Sequence, residues 1–288
     1  MTGFFCRTPR LLFLAVPISW IAIANIGPLA EMVRISLLDA YPPRAGEIPH
    51  WSLAGYAAFL ESLPYQTAFR RSLVLASATT VAALLVCFPL AYHVARNIRP
   101  ERKAARLMLL VAPFWTSEII RIFGIGLLLS NRGAINTLLR AIGVIDAPLG
   151  LLYGRLSLGL GMVSIAFLAM LLPLFAALDR MPREWLEAAT DLGARPWQRL
   201  LTITLPASVR GIAAGCALVF LLSLGAYAVP ERLGGPDTTV FASVIGGFFN
   251  SAANRWPMGA AFSVILLVSG GAVAALIMAL ARPRPSCA

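Results

Sequence analysis

An all-α membrane protein with six transmembrane helices is the fold this sequence predicts, and three observations carry that expectation. Apolar residues make up 59% of the 288 and charged residues only 13%, with a mean hydropathy of +0.79, against about 25% charged in soluble domains. Uncharged apolar runs cover Leu11 to Ala30, Ser72 to Tyr92, Leu156 to Leu178, Gly211 to Pro230 and Trp256 to Ala281, each long enough for the ~20 helical residues that cross a hydrocarbon core. A sixth run, Leu107 to Ser130, holds Glu118 and Arg121 inside it. Helices keep their backbone hydrogen bonds internal, which lipid demands of any spanning segment. The connections are short, so residues 1–288 read as one transmembrane domain with spans at about 11–37, 70–95, 105–130, 156–178, 208–230 and 256–281.

The first run follows Arg7 and Arg10 and contains Ala22-Ile23-Ala24, an arrangement that resembles a signal peptide with its cleavage site. The apolar stretch continues to Ala30, long enough to span, and a retained helix is the reading adopted. Next comes a Pro-rich external segment containing WSLAGYAAFLESL, where Trp51, Ala54, Ala58 and Leu60 suit either an interface or a surface cap. The second loop holds RNIRPERKAAR, the strongest basic cluster, close to two spans. Together with Arg7, Arg10, the fourth loop and Arg282 and Arg284, it gives 14 Lys and Arg on one side against nine on the other. By the positive-inside rule both termini are expected in the cytoplasm. That topology, with anionic lipid, accounts for the net charge of +11 better than nucleic acid does. The third loop has a short helical stretch around Ile135 to Ile142, closed by Gly143.

The fourth loop, residues 182–206, carries the functional argument. Pro182 suits a helix start, and Glu184 and Glu187 place negative charge near its N-terminus. Trp185, Ala188, Ala189 and Leu192 fall at i, i+3, i+4 and i+7, one apolar face, with Glu184, Glu187 and Asp191 on another. Gly193 is placed to end this helix in a left-handed cap, and Pro196 to open a second that runs through Trp197, Leu200 and Leu201 to Pro206. Amphipathicity alone leaves a solvated loop helix equally open.

Spacing decides between them. Glu187-Ala188-Ala189, then Gly193, then Ile203, Leu205 and Pro206 resembles the EAA loop of permease subunits of binding-protein-dependent ABC importers, at all seven signature positions. Further stretches, PFWTSEIIRIFG, GAINTLL, LGAYAVPERLGGPDT and NRWPMGAA, are similar to the spermidine/putrescine permease group, most of all its first permease subunit. Related permeases for opines, other organic cations or ferric iron share parts of them. Glu118 departs from the pattern, standing where a small or amide side chain is expected. The resemblance implies a type I ABC importer permease fold with cytoplasmic coupling helices, in the bacterial inner membrane. It also implies partners: two ATPase subunits, a second permease and a periplasmic substrate-binding protein. ATP and Mg would be bound by the ATPase. The only lysine, Lys103, lies in PERKAAR, so a Gly-x-x-x-x-Gly-Lys phosphate loop is excluded from this chain. The coupling residues implied are Glu184, Trp185, Glu187, Ala188, Ala189, Leu192, Gly193, Ile203, Leu205 and Pro206.

For the pathway, the intramembrane charges are the pointer, because a charge at mid-membrane costs about 2.5–3.5 kcal/mol and faces a cavity or a bundle interior. Glu118 and Arg121 stand at the i, i+3 spacing of a helix ion pair, and that pairing is one reading. The other assigns Glu118, with Trp115, Tyr227 and Glu231, to receiving an ammonium group by charge and cation–π attraction. Tyr227 also suits packing, and Glu231 a solvated pair with Arg232. Two other classes are disfavoured. A secondary transporter needs coupling groups in several spans, and only one of the six apolar runs, Leu107 to Ser130, holds acidic and basic residues. An intramembrane enzyme is the other: the only histidines, His50 and His93, are expected on opposite sides and form no zinc motif or triad, so this chain is not expected to be an enzyme. Cys6, Cys87, Cys216 and Cys287 are too scattered for a redox motif and read as free thiols.

Overall fold

The computed structural model of the protein describes residues 8–43, 50–235, 238–250 and 255–281, with side chains except at 8–16 and 18. Cys6, Arg7, Arg44, Arg282, Arg284 and Cys287, and the side chain of Arg10, lie outside it. Among the described residues, five helical runs are long and apolar enough to cross a membrane: Leu63–Asn97, Glu118–Ala141, Arg155–Asp179, Pro196–Leu224 and Trp256–Leu280. Ahead of them α1 (Thr8–Ser36) runs for 29 residues through Pro17 and Pro28, on the first expected span. Beyond the helices, the described residues hold one isolated antiparallel bridge, Leu38 to Trp51. Cys87 and Cys216 are free thiols.

The chain divides into two units, Met1–Gln66 with Val244–Ile265, and Thr67–Ser243 with Leu266–Ala288. In the first, α2 (Ala54–Glu61) is the short helix of the Pro-rich segment, and Trp51 and Leu60 are exposed beside it. Its core is aromatic. The Phe262 ring lies 4.9 Å from Tyr65, 5.4 Å from Phe248 and 5.8 Å from Phe59, all edge-on, the arrangement that ring quadrupoles favour.

The second unit is built on α3 (Leu63–Tyr92, from Thr67 onward), α7 (Arg155–Asp179) and α10 (Leu205–Leu224). Met170, Leu171 and Leu174 of α7 and Val219 of α10 are fully buried with Ala83, Cys87 and Ala91 of α3. Small residues let helix backbones approach closely, the main route to tight packing in lipid. A Cβ on Gly211 would lie 2.2 Å from Ala177 Cβ and 2.9 Å from the Pro173 carbonyl oxygen. Neither neighbour can swing aside, so Gly211→Ala forces α7 and α10 apart at about 1–3 kcal/mol, the usual overpacking cost. The expected result is a lower melting temperature of the detergent-solubilised protein, and an unchanged one would contradict this packing.

The span expected at 105–130 is broken. It consists of α4 (Pro100–Val111), a 3₁₀ turn at Ala112–Trp115, and α5 (Glu118–Leu129). Pro113 lacks a backbone N–H and cannot continue the ladder; Thr116 instead turns its hydroxyl onto the Pro113 carbonyl at 2.9 Å. The fourth loop differs too. The second helix does not stop at Pro206: α9 (Pro196–Arg199) passes through a π turn at Leu200–Thr204 directly into α10. Pro206 has no N–H to offer its own turn, and the local shift to i→i+5 bonding, with the Leu205 N–H on the Leu200 carbonyl, absorbs the gap. The short helix α6 (Ala134–Ala141) ends as expected at Gly143, with φ of +78°.

Candidate functional site

The loop between the fourth and fifth spans folds as a capped hairpin. Glu184 and Glu187 occupy the first turn of α8 (Glu184–Asp191), where carboxylates meet the positive end of the helix dipole. At the other end Gly193 takes φ +78°. Its N–H donates to the Thr190 carbonyl at 2.9 Å and that of Ala194 to Ala189 at 2.9 Å, the pair of bonds of a Schellman cap. The Arg199 guanidinium donates to the Thr190 hydroxyl at 2.6 Å, and that hydroxyl donates to the Leu186 carbonyl at 2.7 Å. Gln198 closes the turn by accepting the Arg195 N–H at 2.7 Å. Sequence reasoning identified the cap but not these cross-links, since Arg199 and Thr190 have no distinctive spacing.

The four residues of the apolar face do not form a ridge. Trp185, Ala188, Ala189 and Leu192 line one side of an open cavity of about 600 Å³, and Thr202, Ile203, Pro206 and Ala207 line the other. Ala189 is 8% exposed and forms the floor, while Trp185 at 52% and Leu192 at 88% stand as walls. An apolar groove with a buried floor and uncovered walls is the shape that accepts an inserted side chain. Leu205 is not among the residues lining it and sits at the joint between the π turn and α10.

The hairpin is tied to the spans at two further points. Arg96, in the π turn His93–Asn97 that ends α3, donates to the Met181 carbonyl at 2.8 Å. Lys103 of α4 forms an ion pair with Asp179 at the end of α7. The chain entering the hairpin is therefore joined to the end of α3 at Met181 and, at the last residue of α7, to α4, while the hairpin itself runs on into α10.

The expected pairing of Glu118 with Arg121 does not form. Arg121 donates to the carbonyls of Ser164 at 3.3 Å and Thr116 at 3.2 Å. Its guanidinium carbon lies 4.7 Å over the Phe114 ring, itself stacked on Phe167 at 4.8 Å. Two carbonyl dipoles and a π face thus hold the cation, while its buried Nε has no partner among the described residues, and the break at Pro113 places Phe114 and the Thr116 carbonyl within its reach. Glu118 is left exposed at the start of α5, without a side-chain partner among the described residues. Trp115 is 80% exposed, three residues before it. Tyr227 and Glu231 stand around the first turn of α11 (Ala228–Leu233), joined by a backbone bond from the Glu231 N–H to the Tyr227 carbonyl at 3.2 Å. No hydrogen bond or ion pair connects them to Glu118 among the described residues. The Glu231–Arg232 pair is absent as well: Arg232 lies 5.7 Å over the Phe123 ring of α5. Neighbours in sequence on a helix point about 100° apart and do not face each other.

Comparisons with known proteins agree with this architecture. Residues 10–286 match the family model described as the binding-protein-dependent transport system inner membrane component. The spermidine/putrescine transport system permease protein PotB of Haemophilus influenzae is 32% identical over 254 residues, covering 88% of this chain and 87% of that one. Its namesake in Escherichia coli K12 is 34% identical over 77% of this chain and 79% of its own length. The inner membrane ABC transporter permease protein YdcU of the same organism is 30% identical over 93% and 89%. Among solved structures, a chain of a bacterial ABC transporter that imports the acidic polysaccharide alginate superposes with a TM-score of 0.71 at 19% identity, covering 94% of both chains. At that identity the likeness speaks for the fold alone.

Proposed function

Because the chain belongs to the family of binding-protein-dependent transport system inner membrane components, and is a permease subunit of such an ABC importer, we propose that its cargo is a small organic cation, a polyamine. One observation carries this reading: the carboxylate of Glu118 stands exposed at the first residue of the apolar run Glu118–Ala141, its expected partner Arg121 occupied elsewhere. An unpaired charge at the end of a span belongs in a cavity or water rather than against lipid. With Trp115 beside it, a carboxylate and an indole face offer the two attractions an ammonium group takes. The relatives named for spermidine and putrescine transport point the same way.

In this reading the hairpin faces the cytoplasm, as do both termini. An ATPase dimer, which binds ATP and Mg, inserts an apolar side chain between Trp185 and Leu192 and places a basic group on Glu187. A second permease, a related chain, completes the pathway, and a periplasmic binding protein delivers the cargo. Closure of the ATPase draws α8 with it. The tethers at Arg96, Lys103 and Arg199 convert that pull into movement of α3, α4, α7 and α10.

The test is uptake by proteoliposomes holding the chain co-purified with its ATPase, second permease and binding protein. ATP-dependent, saturable uptake of labelled putrescine or spermidine is expected, competed by polyamines and not by opines or amino acids. Preference for an opine, an amino-acid derivative or ferric iron would overturn the cargo assignment. Gradient-driven uptake without the ATPase would overturn the mechanism in favour of a secondary transporter.

A further inference from the structure

Three arginines at the far end of the second unit from the hairpin have no part in the transport reading. Arg70 and Arg71, near the start of α3, and Arg155, the first residue of α7, line a cavity of about 860 Å³. No acidic residue lines it. None of the three guanidiniums has a hydrogen-bond or ion-pair partner among the described residues. Beyond them the wall is small and apolar: Ala78, Ala82 and Val86 on α3, with Val163 on α7. Val86 lies about four helical turns, roughly 22 Å, past Arg71. Part-way along stands Thr79, 3% exposed, whose hydroxyl has no protein partner among the described residues.

A cationic mouth, a long apolar wall and one unpartnered hydroxyl on the lining together match an anionic amphiphile. We propose that this cavity binds an anionic phospholipid of the leaflet opposite the coupling hairpin. The phosphodiester sits among Arg70, Arg71 and Arg155, one acyl chain lies along α3, and Thr79 offers its hydroxyl to an ester carbonyl. Three like charges repel a polyamine. A small free anion would fill only the mouth and leave the apolar wall uncovered. A helix of a second permease would have to bring acidic groups to a wall whose other residues are mostly apolar. The assignment rests on the membrane orientation proposed above and not on the identity of the cargo.

The experiment is native mass spectrometry of the purified, delipidated transporter complex titrated with phosphatidylglycerol in detergent. Retention of phosphatidylglycerol over phosphatidylcholine is expected. Each single variant, Arg70→Gln, Arg71→Gln and Arg155→Gln, should weaken it about five-fold, the contribution of one basic side chain at an anionic surface. Ala78→Trp, which blocks the wall and leaves the arginines in place, should weaken it as well. Glycerophosphoglycerol and inorganic phosphate should not compete. Unchanged retention in all four variants overturns the proposal, as does competition by the headgroup or phosphate at the lipid's own affinity, which makes this a small-anion site. Disulfide trapping of an A82C chain to a second permease chain overturns it in favour of a protein occupant. Lipid retention is read without transport, so a wrong cargo leaves this result untouched.

Discussion

Gly193→Val is expected to cut ATP-driven uptake at least ten-fold, or about 1.4 kcal/mol, without lowering the amount of chain in the membrane. Gly193 holds φ at +78°, a region that costs an L-residue about 1–2 kcal/mol and a β-branched one more. A Cβ at this position meets nothing within 4 Å, so the substitution acts through backbone conformation alone. Losing that conformation releases the bonds from the Gly193 and Ala194 N–H groups to Thr190 and Ala189. The end of α8 then frays where Leu192 forms a wall of the groove. An ordered series follows: Asn, which tolerates the left-handed region, retains most uptake, Ala less, and Val least. Glu187→Arg should act in the same direction by another route, reversing a charge on the face shared with Glu184 and Asp191. Uptake by inverted-orientation-controlled vesicles, normalised to chain content, measures both. Wild-type uptake by the Val variant, or an Asn variant as poor as Val, would remove the cap from the coupling mechanism.

The features legible in the sequence were those set by one residue or one period. Apolar runs placed the spans, and Gly143 and Gly193 announced their caps because few other residues take positive φ. The EAA spacing located the hairpin because its residues fall within one short stretch, Glu187 to Pro206. Contacts between distant segments left no such mark. The tethers from Arg96 to Met181 and from Lys103 to Asp179 join positions some 80 residues apart, and nothing local distinguishes those arginine and lysine residues from others in basic loops. The pairing of Glu118 with Arg121 failed for a related reason. Glu118 and Arg121 do share the continuous helix α5, but the break at Pro113 just upstream supplies Arg121 with a ring and a carbonyl that compete with the carboxylate. The groove beneath Trp185 was likewise hidden, because its second wall comes from the π turn and the start of α10 rather than from the helix whose periodicity marks the first wall.

That absent ion pair sharpens the second large prediction. Were Glu118 paired with Arg121, Glu118→Gln would strand a cation in the span and destabilise the chain by about 3–5 kcal/mol. Arg121 is instead held by the Ser164 and Thr116 carbonyls and the Phe114 ring, so the amide should leave the melting temperature within a few degrees of wild type. Its loss to the helix dipole at the α5 N-terminus is only about 0.3–1 kcal/mol. Transport should respond far more. Opposite unit charges at about 4 Å and an effective dielectric near 20 attract by about 4 kcal/mol before desolvation, and a third of that is already ten-fold in rate. Putrescine uptake is therefore expected to fall at least ten-fold at subsaturating concentration, with the larger share in KM, and Glu118→Asp should recover part of it by restoring the charge one methylene short. Unchanged uptake kinetics would take Glu118 out of the pathway and leave its exposed carboxylate to the interface with the second permease. A fall in uptake that tracks a fall in melting temperature would mean that the side chain holds the break in the third span together, and the cation-recognition role would be lost with it.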